Sequence, residues 1–300
     1  MVKYFAVFIA IALIVSSCDS RRTVVVTTIS SPPFMHHDRG NYEGYLKDLL
    51  DILQEALSLN AELKIVSDGR YGSMEPNGEW NGMIGELVRQ EADIALAPLT
   101  VTQKRLEVVK FTAPFMYTER AALYKTPGER KPIPFRNLKE LAASDLKYFT
   151  LADGSSFALF NESDYKLFSE MGNVMNGYYT ELPRSYSEAI DTVRSGSQNQ
   201  SYALIGEKTF LGFVANTPPC DLSVIDLGSI GQHAIAVAPN DEELAKAIST
   251  EIWKLERDGT LQRLHDKWWV NKCPKRARQL CVCEAEVSSE ESNERTENDV

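Results

Sequence analysis

Two hydrophobic rhythms alternate along the chain. Thr23 to Ile29 is rich in Val and Thr, is broken by Ser31-Pro32-Pro33, and reads as a strand. Between Tyr45 and Leu59 apolar residues recur at Leu46, Leu49, Leu50, Leu53, Ala56 and Leu57, the spacing of one helical face. Leu63 to Val66 predicts a short strand closed by the turn pair Asp68-Gly69, Met83 to Gln90 a helix, and Ala92 to Ala97 a buried strand. A second block opens near Leu138. It predicts helices over 138–143, 157–171 and 187–195, and extended segments over 148–151, 202–205 and 234–238. Amphipathic helices over 242–256 and 261–269 complete it. Strands alternating with helices predict an α/β architecture. The polar run Thr126-Pro127-Gly128-Glu129-Arg130-Lys131-Pro132 reads as the joint between the blocks, and the pattern ends after Asn271.

The ends of the chain follow neither rhythm. Lys3 precedes an apolar run of 12 residues, Tyr4 to Val15, then Ser16, Ser17 and Cys18. That order predicts a secretory signal peptide over residues 1–18. The run falls short of the roughly 20 residues that span a bilayer. An uncleaved anchor and a lipidated Cys18 are the alternatives, so the expected location is extracellular, either free or tethered. No other apolar run approaches transmembrane length. The formal net charge is −10, but seven acidic residues and one arginine fall between Glu284 and Val300. The remainder is only mildly acidic and offers no basic surface for nucleic acid. Residues 274–300, acidic and free of aromatic residues, are expected to be disordered. Five cysteines fit an oxidising compartment, and Asn161-Glu162-Ser163 and Asn199-Gln200-Ser201 are N-glycosylation sequons.

Candidate chemistry is scattered. In Ala97-Pro98-Leu99-Thr100-Val101-Thr102-Gln103-Lys104-Arg105 a strand runs into Pro98, and Thr100 with Gln103 forms a helix-start pattern. Arg105 then falls in the first turns, where an anion would be welcomed by free N–H groups and a guanidinium together. Read alone, the segment better suits a solvated arginine paired with Glu107 or with solvent. Asp153-Gly154-Ser155-Ser156 opens another helix and offers N–H and hydroxyl groups, either for an anion or for simple capping. Glu207 ends a strand and could hold an ammonium group or face solvent. Tyr71 could cover a ligand or pack as a core ring. An α-amino acid requires one cation, one anion and several neutral donors, which these residues supply only if they converge.

Longer motifs identify a family. Asp68-Gly69-Arg70-Tyr71-Gly72-Ser73, Trp80 to Leu87 and Ala92 to Thr102 closely resemble the first ligand-binding segment of AMPA/kainate-type ionotropic glutamate receptors. Phe111-Thr112-Ala113-Pro114-Phe115-Met116 resembles the end of that segment. Pro219-Cys220-Asp221 and Lys267-Trp268-Trp269 resemble parts of the second. The likeness runs from about Thr23 to Cys273.

The resemblance implies a bilobed type II periplasmic-binding-protein fold: a clamshell of two sheets flanked by helices, related to solute-binding proteins of family 3. Lobe 1 would comprise 23–118 plus 230–273, and lobe 2 119–229. Carried over by position, Arg105 holds the α-carboxylate with the N–H groups of Thr100 and Ser155. The Pro98 carbonyl, the Thr100 hydroxyl and Glu207 hold the ammonium. Ser156, where the family usually has threonine, receives a side-chain carboxylate, and Tyr71 lies over the ligand. Cys220 and Cys273 match a family disulfide.

Two departures qualify the match. Where the receptors insert pore-forming helices, this chain has a short linker after Lys125, so no transmembrane pore is expected. Gly206 replaces a bulkier residue, which with polar Ser156 favours L-glutamate over glycine. The expected function is a secreted amino-acid-binding protein with neither cofactor nor metal. A channel subunit or regulator, acting as a dimer or with a membrane receptor, is the alternative. Enzymatic chemistry with Glu207 as acid/base ranks last, because no nucleophile–base pair accompanies it.

Overall fold

The structure, a computed structural model, describes residues 21–127, 134–152, 154–197 and 200–273. The expected signal segment, the acidic stretch 274–300, Asn199 of the second sequon, and Cys18, Cys281 and Cys283 lie outside the described residues.

The first half of the chain forms β1 (Arg22–Thr28), β2 (His36–Asp38), β3 (Asn41–Glu43), α1 (Tyr45–Leu57), β4 (Leu59–Ile65), α2 (Gly82–Val88), β5 (Ile94–Thr100), α3 (Gln103–Leu106) and β6 (Lys110–Lys125). There follow α4 (Leu138–Ala142), β7 (Lys147–Phe149), α5 (Ser155–Glu162), α6 (Lys166–Asn176), α7 (Tyr186–Ser195), β8 (Tyr202–Glu207) and α8 (Lys208–Ala215). The chain then returns through β9 (Leu222–Val237) to α9 (Glu242–Arg257) and α10 (Thr260–Trp268).

Strand order is β4-β1-β5-β9-β6-β8-β7. The two 16-residue strands β6 and β9 explain how two sheets share one ladder. They pair antiparallel along nearly their whole length. At one end His233 to Val237 of β9 also pairs with β5, and at the other Arg120 to Tyr124 of β6 pairs with β8. Their register shifts between Phe111 and Met116 and again around Arg120. Such bulges bend and twist paired strands, so the ladder divides into two sheets, each flanked by helices. This is the expected bilobed clamshell.

The cores divide in the same way. Val24, Val26, Leu46, Leu49, Ile235 and Ile248 belong to one buried cluster. Ala121, Leu123, Phe149, Leu204, Leu211 and Leu222 belong to another. Helix α1 illustrates the cause: Tyr45, Leu46, Leu49, Leu50 and Leu53 share one face and are buried. Burying each such leucine contributes about 1.5–3 kcal/mol.

Some elements differ from the sequence reading. The helix expected over 157–171 is two helices, because Ser163 is extended and its Oγ accepts from the Tyr165 N–H at 3.1 Å. Strand β6 and helix α8 were not anticipated, and β9 starts twelve residues before the expected 234. The polar run from Thr126 lies beyond the end of β6, and its residues 128–132 are outside the described set. The chain passes from one sheet to the other within β6, since two long antiparallel strands can bridge the lobes without a loop.

A disulfide joins Cys220 and Cys273, 53 residues apart. Among the described residues, no helix is long and apolar enough to cross a membrane.

Candidate functional site

Between the lobes lies a cavity of about 830 Å³. All seven scattered candidates, Tyr71, Pro98, Thr100, Arg105, Ser155, Ser156 and Glu207, line it.

Arg105 is placed by local capping. Thr102 is the N-cap of α3, its Oγ1 accepting from the Arg105 N–H at 3.3 Å. The expected cap, Thr100, instead remains in β5, paired with His233 across the ladder. Arg105 as a whole is 5% exposed. Its Nε and Nη2 donate to the Gly72 carbonyl at 3.2 and 2.9 Å, and Nη1 donates to the Thr100 carbonyl at 2.9 Å. Five N–H donors in a rigid fork leave two beyond these three bonds. Burial pushes Arg105 down to about 10, against the charges of Glu207 and Tyr71, so it is cationic at neutral pH.

The Gly72 carbonyl owes its position to glycine. Gly72 has φ +126°, and a Cβ there would stand 2.5 Å from Ile84 Cβ. The loop is fastened to α2 through Asp68, whose Oδ2 accepts from the Gly82 N–H at 2.8 Å. Pro98 has no N–H to donate, and the β5–β9 register shifts between Ala95 and Leu99 around it.

Glu207 reaches in from the other lobe. It accepts from Ser155 Oγ at 2.8 Å and Thr100 Oγ1 at 3.3 Å on Oε1, and from Tyr186 OH at 3.0 Å on Oε2. Burial would raise its pKa, but the charges of Arg120 and His233 and the hydroxyl donors Ser155 and Tyr186 hold it below the usual carboxylate value. Ser156, 5% exposed, accepts from Arg120 Nη1 at 2.6 Å. Burial raises the half-buried Tyr71 to about 12, so its phenol is neutral.

The sequence reading missed Arg120 and Tyr186. Arg120 carries one available signal: with Glu119 it forms a charged pair that precedes the apolar run Ala121-Ala122-Leu123. That signal is informative only once β6 is known to be a strand. His233 packs edge-on to Phe34, with ring centres 5.7 Å apart, and burial drives it down to about 4. Gly206 lines the cavity, and a methyl added there would meet Leu211 at an ordinary 3.5 Å. Among the described residues, no group of three or more His, Cys, Asp or Glu side chains is placed to hold a metal.

The cavity thus has a buried cation on one lobe and a half-buried carboxylate on the other. Comparison with known proteins agrees. The family model "Ligated ion channel L-glutamate- and glycine-binding site" matches residues 22–128, and it describes a ligand-binding rather than a catalytic domain. The chain is similar to "Probable glutamate receptor" of Anas platyrhynchos, with 53% identity over 96 residues, 32% of this chain and 20% of that protein. It is also similar to "Glutamate receptor ionotropic, kainate 1" of Mus musculus, 39% identical over 141 residues, covering 44% of this chain and 17% of the other. "Glutamate receptor 3" of Rattus norvegicus is 43% identical over 136 residues, covering 42% and 15%. The chain therefore spans a fifth or less of the length of these relatives. Fold, cavity and likeness together give this chain a periplasmic-binding-protein-like fold of the kind found in the ligand-binding domains of ionotropic glutamate receptors.

Proposed function

We propose that the chain is an extracellular amino-acid-binding protein whose ligand is L-glutamate. Arg105 clamps the α-carboxylate with its two spare N–H donors, helped by the backbone N–H groups of Thr100 and Ser155. The ammonium sits among the Pro98 carbonyl, the Thr100 hydroxyl and Glu207. Ser156 faces the side-chain carboxylate, and Tyr71 lies over the bound molecule. Residues 23–118 with 230–273 act as one closing unit and 119–229 as the other. The Cys220–Cys273 bond supports an oxidising location.

The single observation that carries this reading is convergence. Arg105 and Glu207, 102 positions apart in the sequence, line one chamber from opposite lobes, the first buried and the second half-buried. Opposite charges that face one chamber without pairing to each other suit a zwitterion, whose own two charges complement them. The chamber volume also falls within the range of about 300–1,000 Å³ found for small-molecule sites.

Calorimetric titration with L-glutamate, L-aspartate and glycine tests the proposal, with Arg105→Ala alongside. One-to-one glutamate binding that the substitution abolishes is the expected result. A folded chain that binds none of the three overturns it.

A further inference from the structure

Arg120 and Glu207 are opposite charges on neighbouring strands that do not pair. They face each other in the β6–β8 ladder, so their side chains leave the same face of the sheet. Side chains so placed lie within easy reach of an ion pair, yet none forms within 4.0 Å. Glu207 turns to the hydroxyls of Ser155, Thr100 and Tyr186. Arg120 turns to Ser156, with Nη1 donating to Oγ at 2.6 Å. Its Nε is buried without a hydrogen-bond partner.

The consequence falls on Ser156. A guanidinium has donors only, so in this bond the Ser156 oxygen must be the acceptor. The one hydroxyl proton is left to point elsewhere, and Ser156 donates it to no other group among the described residues. Ser156 lines the chamber. The wall at this point therefore presents an O–H donor backed by a positive charge, an arrangement that favours a charged acceptor over a neutral one.

Charge counting points the same way. Asp68 and Arg184 also line the chamber and are of opposite sign. Arg70, another lining residue, is paired with Glu75 at 2.6 Å. Arg105 and Glu207 remain on the lining, and Arg120 stands behind it through Ser156, so two cations and one anion act on a ligand here. Their complement is a ligand with two anionic groups and one cationic group.

We infer that Arg120 is a specificity-determining positioning residue, which turns Ser156 into a donor and makes the chamber select α-amino acids with a second carboxylate over their neutral amides. The inference rests on the amino-acid reading above and adds to it the residue that reads the ligand's far end. Arg120 acts through Ser156 and need not touch the ligand.

The test is the ratio of L-glutamate to L-glutamine affinity, measured by calorimetry on the full chain. Wild type prefers glutamate by at least about tenfold, the discrimination expected of a charge-assisted hydrogen bond. Arg120→Gln reduces the ratio by about tenfold or more and leaves glutamine affinity within a few-fold. Arg120→Lys restores part of the ratio. Ser156→Ala lowers the ratio too, and adding Arg120→Gln to it has less effect than on the wild-type background, because the two act through one hydroxyl. A ratio unchanged in Arg120→Gln, or equal losses for both ligands with no recovery in Arg120→Lys, overturns this inference and leaves the amino-acid reading standing. A wild-type chain that binds no amino acid overturns both.

Discussion

Thr100 Oγ1 stands 3.3 Å from Glu207 Oε1, a hydrogen bond between residues 107 positions apart that joins one lobe to the other. Ser155 Oγ lies 3.2 Å from the same threonine oxygen, so a three-residue bridge closes the cleft at the carboxylate. A ligand ammonium held by Glu207 strengthens the bridge, since it gives the buried charge an opposite partner. Glu207→Gln keeps the shape and removes the charge. It is expected to lower amino-acid affinity by about 100-fold, the lower part of the range for truncating a buried charged partner. Titration of the variant checks this, and retention of wild-type affinity would remove Glu207 from the site.

A second bridge between the lobes lies in the open. Lys104 Nζ and Glu162 Oε1 meet at 2.7 Å, with side chains 51% and 46% exposed. Exposed pairs contribute about 0–1 kcal/mol. Glu162→Gln is therefore expected to weaken ligand affinity by no more than about fivefold at low salt, with the difference vanishing near about 0.5 M salt as the pair is screened. A large effect that persists in high salt contradicts this assignment.

The loop that holds Arg105 is sensitive to a single methyl. In Gly72→Ala the new carbon collides with Ile84, and φ +126° is strained for any L-side chain. The expected cost is about 1–3 kcal/mol of stability. A loss of affinity should accompany it, because the Gly72 carbonyl receives two of the guanidinium N–H groups. Denaturant titration and calorimetry on one preparation read both effects. A stability loss with unchanged affinity would separate the loop from the site.

Acid should destabilise the ligand-free chain through His233. Burial lowers it to about 4 from an ordinary 6.5, with Glu207 opposing and Arg120 assisting the shift. The folded state thus binds fewer protons than the unfolded state across that window. Stability is fully present above about 6.5 and falls as pH drops towards 4. The expected loss from this group is on the order of 3 kcal/mol. Glu207, held below the usual carboxylate value, adds loss in the same direction at lower pH. Unfolding midpoints between pH 7.5 and 4.5 should slope less in His233→Phe than in wild type, and equal slopes would exclude the histidine as the cause.

The Cys220–Cys273 bond should matter for stability and little for binding. It closes a separation of 53 residues, worth about 4 kcal/mol in the chain-entropy model. Neither cysteine lines the chamber. Cys273→Ser is expected to lower the urea midpoint by the equivalent of that loss, with affinity unchanged at low temperature. A loss of affinity in a fully folded variant would show coupling between the disulfide and the cleft.

The sequence by itself determined the elements whose signal is local. Helix α1 was legible because Leu46, Leu49, Leu50 and Leu53 recur at helical spacing, and β1 because Val and Thr crowd between breaks. The identities of Arg105, Glu207, Ser155 and Ser156 were legible too, but only through motifs, since each has a bland local reading. Tertiary structure decided the rest. Strands β6 and β9 run 16 residues through both lobes, and their regularity comes from pairing with each other rather than from any alternation of their own. Long-range pairing also kept Thr100 in β5 and passed the capping of α3 to Thr102. Arg120 is the clearest case. Its one local signal is informative only once β6 is known to be a strand, and its place behind Ser156 exists only because β6, β8 and the start of α5 meet at one point. Hydrophobic period is a property of neighbours along the chain, whereas a binding site is a property of neighbours across the fold.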